Sequence, residues 1–211
     1  MSAPRYLLKR MGTPSGPLAE LWAWLFNRAN AGQNAAAVEA LELRGTEHVL
    51  DVGFGGGASF PLLLRALPNG HVTGVDPVKE MVVRARRKWE HEVSSDRLRL
   101  QISSAEDLGG EGPRFDAALT VNTVYFWRDL QTGFRKIQRV LAPGARFVVC
   151  VVAPEVLKGM GFPRMDFRAE SAEFYADQLS ATGFENVERR TAKTLKPATL
   201  IVAHCSAVSS G

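Results

Sequence analysis

The segment that most constrains the fold is Val49-Leu50-Asp51-Val52-Gly53-Phe54-Gly55-Gly56-Gly57-Ala58. Val49 to Val52 reads as a short strand, and it runs straight into a glycine-rich turn. The turn leads into Ala58 to Leu67, whose apolar spacing is helical and which stops at Pro68-Asn69-Gly70. Glycines permit positive φ and let a ligand approach the backbone closely. The first turn of a helix adds free amide donors and the positive end of a dipole. A unit of this kind predicts a ligand at the carboxyl edge of a sheet, where the strand order reverses.

The rest of the chain repeats the alternation. Val72 to Val75 is a second strand, and Val78 to Val93 a helix with Pro77 suited to its first turn. Leu98, Leu100 and Ile102 alternate as a third strand, and Phe115 to Val121 is a fourth. Leu130 to Leu141 is helical and stops before Pro143-Gly144, and Ala145 to Ala153 is apolar enough for a strand buried on both faces. A helix near Ala169 to Ala181 and strands near Asn186 to Thr191 and Thr199 to His204 complete it. Such alternation predicts an α/β doubly wound fold. Before the first strand, Leu18 to Asn30 reads as a helix apolar nearly all round, followed by a second helix over Ala35 to Leu43.

The chain has 211 residues, room for one domain at roughly 150 residues per domain. The apolar content of 45% excludes a disordered chain. The longest apolar runs fall well short of the roughly 18 residues a membrane span needs. Arg5, Lys9 and Arg10 are not followed by an apolar stretch with a small-residue cleavage site, so we expect no signal peptide and a cytoplasmic location. Cys150 and Cys205 lie in apolar runs and read as buried thiols. The net charge is +4 and the pI about 9.3, with Arg84, Arg86, Arg87, Lys88, Arg97 and Arg99 close together. Glu80, Glu90, Glu92 and Asp96 are interleaved with them, which favours a solvated helix face over a nucleic-acid surface.

Gly53-Phe54-Gly55-Gly56-Gly57-Ala58 also fits the dinucleotide fingerprint G-x-G-x-x-A. Three features weigh against a nicotinamide cofactor. Asp51 stands two positions before the first glycine, no tyrosine is followed four residues later by lysine, and the length leaves no separate substrate domain. Val49 to Gly57 instead resembles motif I of the class I S-adenosylmethionine-dependent methyltransferases. Asp76 in Thr73-Gly74-Val75-Asp76-Pro77 is similar to their acidic motif II. Ser103 to Leu108 is similar to the segment after strand 3, Phe115 to Trp127 to motif IV, and Arg139 to Ala145 to the run before strand 5. The small-molecule type of ubiquinone and menaquinone biosynthesis is the branch resembled.

The resemblance implies a seven-stranded sheet of order 3-2-1-4-5-7-6 with strand 7 antiparallel. It implies one methyltransferase domain over residues 1–211. Residues 1–44 would form helices acting as a lid, 45–153 the cofactor-binding core, 154–170 a substrate-side insertion, and 171–211 the last helix and strands. It also implies S-adenosyl-L-methionine as cofactor and S-adenosyl-L-homocysteine as product. The backbone at Gly53, Gly55 and Gly57 would pack against the methionine and ribose parts. Asp51 would hold the α-amino group through water, and Asp76 the ribose hydroxyls. Pro77 and Met81 would lie near the adenine, with Ala105 and Glu106 at its edge; Asn122 would face the methionine end. Ser104 departs from the pattern, standing where the family often has an aspartate that accepts from the adenine amine. Plainer roles compete: Asp76 can cap the helix that starts at Pro77, Met81 can belong to the core, and Ser104 can form a turn.

Methyl transfer requires alignment and exclusion of water, and a base only if the acceptor must lose a proton. His48 and His71 sit at strand starts, away from the crevice, His91 falls in a charged, surface-like helix, and His204 reads as structural. Tyr125 is the best candidate for a catalytic group; Glu155, Asp166 and Glu170 follow strand 5. Asn122-Thr123-Val124-Tyr125 has the spacing of adenine amino-methyltransferases but lacks their two central prolines. Trp22 and Phe26, with Tyr125, Phe126 and Trp127 and with Phe162, are the candidates for an apolar acceptor pocket. The expected activity is therefore methylation of a small, partly apolar molecule, without metal and without nucleic acid. An RNA or protein methyltransferase, a non-catalytic S-adenosylmethionine-binding protein and a nicotinamide oxidoreductase are the alternatives. The residues assign neither the acceptor atom nor an oligomeric state.

Overall fold

The computed structural model describes residues 31–110, 114–159, 170–192, 194 and 197–206. Seven strands form one sheet: β1 (His48–Val52), β2 (His71–Asp76), β3 (Leu98–Ile102), β4 (Phe115–Val121), β5 (Leu141–Val152), β6 (Phe184–Ala192) and β7 (Ala198–Cys205). Their order is β3-β2-β1-β4-β5-β7-β6. The first five run parallel, and β7 is antiparallel to both β5 and β6. This is the sheet that the sequence led us to expect. The order reverses at β1, which lies between β2 and β4, so the chain leaves their carboxyl ends in opposite directions and opens a crevice there.

The central strands are buried on both faces, while the edge strands β3 and β6 expose charged and polar residues. Leu50, Val72, Leu98, Ala118, Leu119, Phe147, Val148 and Ile201 are all fully buried. Helix α1 (Ala31–Ala40) packs on β4, β5 and β7, and buries two polar residues, Gln33 and Asn34, among alanines. Helix α2 (Phe60–Ala66) follows the glycine loop. A single helix was expected over Val78 to Val93; instead α3 (Lys79–Lys88) and the short α4 (Glu90–Ser94) meet at Trp89, whose φ of −116° and ψ of 36° break the helix. There the Trp89 ring packs edge-on against Phe60, 6.1 Å away. Burying the indole prevails over the continuity of the helix.

Helix α5 (Leu130–Val140) shows how pattern becomes packing. Asp129 caps it by accepting from the Thr132 amide at 3.1 Å, and Leu130, Gly133, Phe134, Ile137 and Val140 form its buried stripe. β5 begins directly at its end, earlier than expected, and Pro143-Gly144 bulges between the pairs Phe115–Leu141 and Ala117–Arg146. Helices α6 (Pro154–Gly159) and α7 (Ala172–Ala181) follow β5. Both cysteines are free and buried, and burial pushes the Cys150 thiol up to about 12. No helix among the described residues is long and apolar enough to cross a membrane.

Candidate active site

The glycine loop leaves β1 at the switch point. Gly53 has a φ of 77°, and a Cβ there would stand 2.7 Å from the Thr123 methyl, so conformation and space both demand glycine. Its amide donates to the Val75 carbonyl at 2.7 Å, which ties the loop to β2. Gly55 has a φ of 52°, yet a Cβ there would meet nothing within 4 Å. At Gly55, then, the turn needs the conformation while the space beside it stays open. Such an opening suits a ligand lying along the backbone.

Two buried carboxylates flank this loop. Asp51, on β1, is 3% exposed and accepts a short hydrogen bond from the Ser59 hydroxyl. Ser59 stands at the N-cap of α2 in helical backbone conformation and makes no capping hydrogen bond; its hydroxyl donates to Asp51 instead. Burial pushes the Asp51 carboxyl up to about 7, against the Ser59 hydrogen bond and with help from the negative Asp76. Asp76 ends β2 and is 5% exposed. One of its oxygens accepts from the Val78 amide at 2.9 Å, the other from the Gly55 amide at 2.9 Å. Burial raises its carboxyl too, opposed by those two amides. The helix after β2 starts at Lys79 with Val78 at its N-cap and no side-chain cap, so Asp76 does not cap it; its side chain instead closes the turn at Val78 and holds the glycine loop. Each carboxylate oxygen keeps a second lone pair for a hydroxyl donor.

The wall beyond Asp76 is mixed. Ile102, its partner in register on β3, is 52% exposed and offers apolar surface beside the carboxylate. Pro77 and Met81 are half-buried, and Met81 also packs on the core. Ala105 is buried. Ser104 forms a turn: its hydroxyl donates to Asp107 at 2.7 Å and accepts from the Asp107 amide at 3.2 Å. Glu106 accepts from the Arg128 amide at 2.7 Å and so ties the loop after β3 to the loop after β4.

At the end of β4, Asn122 has a φ of 57°, and its amide nitrogen donates 2.6 Å to Gln33 of α1. Tyr125 lies in the 3-10 turn Val124–Phe126, just after β4. It is 2% exposed, its hydroxyl accepts from the Val152 amide at 2.6 Å and donates to Asn122 at 3.2 Å, and burial raises its pKa far above the ordinary phenol value. A hydroxyl so enclosed braces the turn after β4 against β5 and offers little surface to an acceptor. Trp127 lies over Gly133 and packs on Phe134 with ring centroids 5.4 Å apart, so it serves α5. Phe126 is half-buried beside Tyr125. Trp22, Phe26, Phe162 and Asp166 lie outside the described residues. His48 and His71 sit at the opposite edge as expected, bonded to Thr73 and to the Asp96 carbonyl.

The basic residues are partly structural. Arg86 donates to the Leu100 carbonyl at 2.7 Å, Arg97 to the Pro68 carbonyl at 3.0 Å, and Arg99 grips Asp96 with two hydrogen bonds. Gln33 and Ser59 were not anticipated. The polar Gln33-Asn34 pair inside an alanine-rich helix is the signal that marks the former, whereas Ser59 resembles any helix N-cap.

Residues 49–144 match the family described as methyltransferase domain. The chain is 26% identical over 174 residues to the uncharacterized methyltransferase YdaC of Bacillus subtilis, covering 80% of this chain and 87% of that protein. It is 26% identical over 114 residues to the ubiquinone/menaquinone biosynthesis C-methyltransferase UbiE of Geotalea daltonii, covering 54% of this chain and 48% of that one. Its fold matches a methyltransferase solved in complex with the Haloferax volcanii Trm112 methyltransferase activator, with a TM-score of 0.77, 18% identity and coverage of 91% and 97%. The family match begins on β1, takes in the loop and both buried carboxylates, and coincides with a sheet of the order that the resemblance implied; over those residues the chain is similar to methyltransferase domains.

Proposed function

We propose that the chain binds S-adenosylmethionine in the crevice over the glycine loop and transfers its methyl group to a small, partly apolar molecule. The observation that carries this reading is the pair of buried carboxylates around an open glycine turn, Asp51 and Asp76 around Gly55. Asp76 accepts from ribose hydroxyls while the Gly55 amide keeps it aimed. Asp51 offers negative charge to the α-ammonium group. Burial without a paired cation leaves it partly protonated near neutral pH, so a cationic ligand supplies the missing charge. Ile102 offers an apolar face for the base.

When bound, the cofactor supplies an electrophilic methyl on a sulfonium, open to in-line displacement. The protein's contribution is to hold the acceptor in line and to exclude water, which in favourable cases supplies about 7–11 kcal/mol. With Tyr125 enclosed, we assign no general base among the described residues. An acceptor that needs none, or that ionises by itself, fits this arrangement.

Support for a small-molecule acceptor comes from the similarity to UbiE, a C-methyltransferase of ubiquinone and menaquinone biosynthesis. The solved neighbour that binds an activator motivates a macromolecular acceptor as the second reading. The test is transfer of labelled methyl by the full chain to a panel of hydroquinones, phenols and isoprenoids, beside bulk RNA and protein. Label in an extractable apolar product supports the proposal. Label confined to RNA or protein would establish the second reading.

A further inference from the structure

A chain of hydrogen bonds runs from β5 to α1 and ends on a donor with no acceptor. Its direction is forced. The Val152 backbone amide can only donate, and it donates to the Tyr125 hydroxyl at 2.6 Å. That hydroxyl must then give its own proton away, and it gives it to the Asn122 carbonyl oxygen at 3.2 Å. The Asn122 amide nitrogen is thereby turned toward Gln33, and donates to its carbonyl oxygen at 2.6 Å. What remains is the Gln33 nitrogen, Nε2, on a residue 1% exposed, and it has no hydrogen-bond partner. A buried donor left unmade costs about 1–3 kcal/mol, and such groups in native proteins call for an explanation.

The position supplies one. Asn122 is followed by Thr123, whose methyl touches the place where a Gly53 side chain would stand, so the Asn122 step of the relay adjoins a residue packed on the glycine loop, and Gln33 is bonded to that Asn122. The buried carboxylates of this edge, Asp51 and Asp76, are acceptors and anions. They suit hydroxyls and an ammonium, and they repel a carboxylate. An amino-acid arm carries both an ammonium and a carboxylate on one carbon, so an edge that binds it needs a donor as well.

We propose that Gln33 is a ligand-binding residue whose free amide N–H receives the α-carboxylate of the methionine arm, with Val152, Tyr125 and Asn122 as the braces that aim it. This rests on the S-adenosylmethionine reading given above. Tyr125 thus enters the site as a positioning residue.

Two ligands separate the possibilities: S-adenosylhomocysteine, which has the amino-acid arm, and methylthioadenosine, which lacks it. Both are titrated calorimetrically into the full chain and into Gln33→Glu and Gln33→Leu. Gln33→Glu keeps an oxygen for Asn122 and replaces only the free donor, with a negative charge. We expect S-adenosylhomocysteine to bind at least about tenfold more weakly to both variants, as for one lost hydrogen bond to a charged group. Gln33→Glu should show the larger loss, while methylthioadenosine stays within about twofold for both. Equal weakening of both ligands, or no change in either, would overturn the proposal. Binding of neither ligand by the unaltered chain would overturn the cofactor reading itself, and the proposal with it.

Discussion

Two carboxylates four positions apart, Glu47 just before β1 and Asp51 within it, meet opposite environments at the two ends of one strand. Glu47 accepts from three backbone amides, those of Arg44, Gly45 and Thr46, at 2.6, 2.8 and 3.0 Å. Burial works to raise its pKa, but those amides hold it below the ordinary carboxylate value. Asp51 has the Ser59 hydroxyl and deep burial, and is pushed the other way. At the amino edge the backbone curls round its carboxylate and the interaction is complete within the chain. At the carboxyl edge the glycine loop turns away, and among the described residues no cation pairs with the charge. Sites are legible as places where the protein has not satisfied its own groups, and here that contrast falls within one turn of chain.

The largest effect should come from Asp76→Ala. Removing two hydrogen bonds to a charged group, at about 1.5–3 kcal/mol each, should weaken S-adenosylhomocysteine more than about 100-fold. The contrast between the two edges breaks if calorimetry finds the affinity intact. Next is Gly53→Ala. A side chain at a φ of 77° and 2.7 Å from Thr123 should cost about 2 kcal/mol of unfolding free energy, read by urea denaturation. An unchanged midpoint would mean that the loop tolerates a side chain it should not.

The third concerns pH. Asp51 holds its proton in the folded chain to about pH 7, but releases it near the ordinary value of 3.8 when unfolded. The folded form therefore binds more protons between those values. The stability contributed by this group is full below about pH 4 and is lost as pH rises toward 7. Asp51→Asn should flatten that part of the stability–pH profile. Conversely, a ligand ammonium favours ionised Asp51, so S-adenosylhomocysteine affinity should rise by about tenfold or less from pH 6 to pH 8, and not in Asp51→Asn. An affinity that falls over that range would contradict the role. The smallest effect belongs to Glu47→Ala. It should cost about 1 kcal/mol of stability, since water replaces its oxygens, and leave ligand affinity unchanged. Weakened binding there would erase the distinction between the edges.

The legible parts of the sequence were those whose reasons are local. Asp51, the glycines and Asp76 each have a residue type demanded by the turn, and the alternation of strands and helices carried the topology. The bracing of Tyr125 was not legible because it is set by the Val152 amide of β5, 27 positions away. The break at Trp89 likewise depends on Phe60, which no periodicity within α3 reveals. Gln33 was harder to place for the same reason: the polar Gln33-Asn34 pair stands out in its helix, but its partner Asn122 is 89 positions distant and the sequence gives no hint of an unmade hydrogen bond.

The most direct measurement is a calorimetric titration of the full chain with S-adenosylhomocysteine and, separately, with NAD, repeated on Asp76→Ala. The account predicts saturable binding of S-adenosylhomocysteine, its loss in Asp76→Ala, and no binding of NAD. Preference for NAD, or S-adenosylhomocysteine binding that survives the substitution, would contradict the assignment of this edge as the cofactor site.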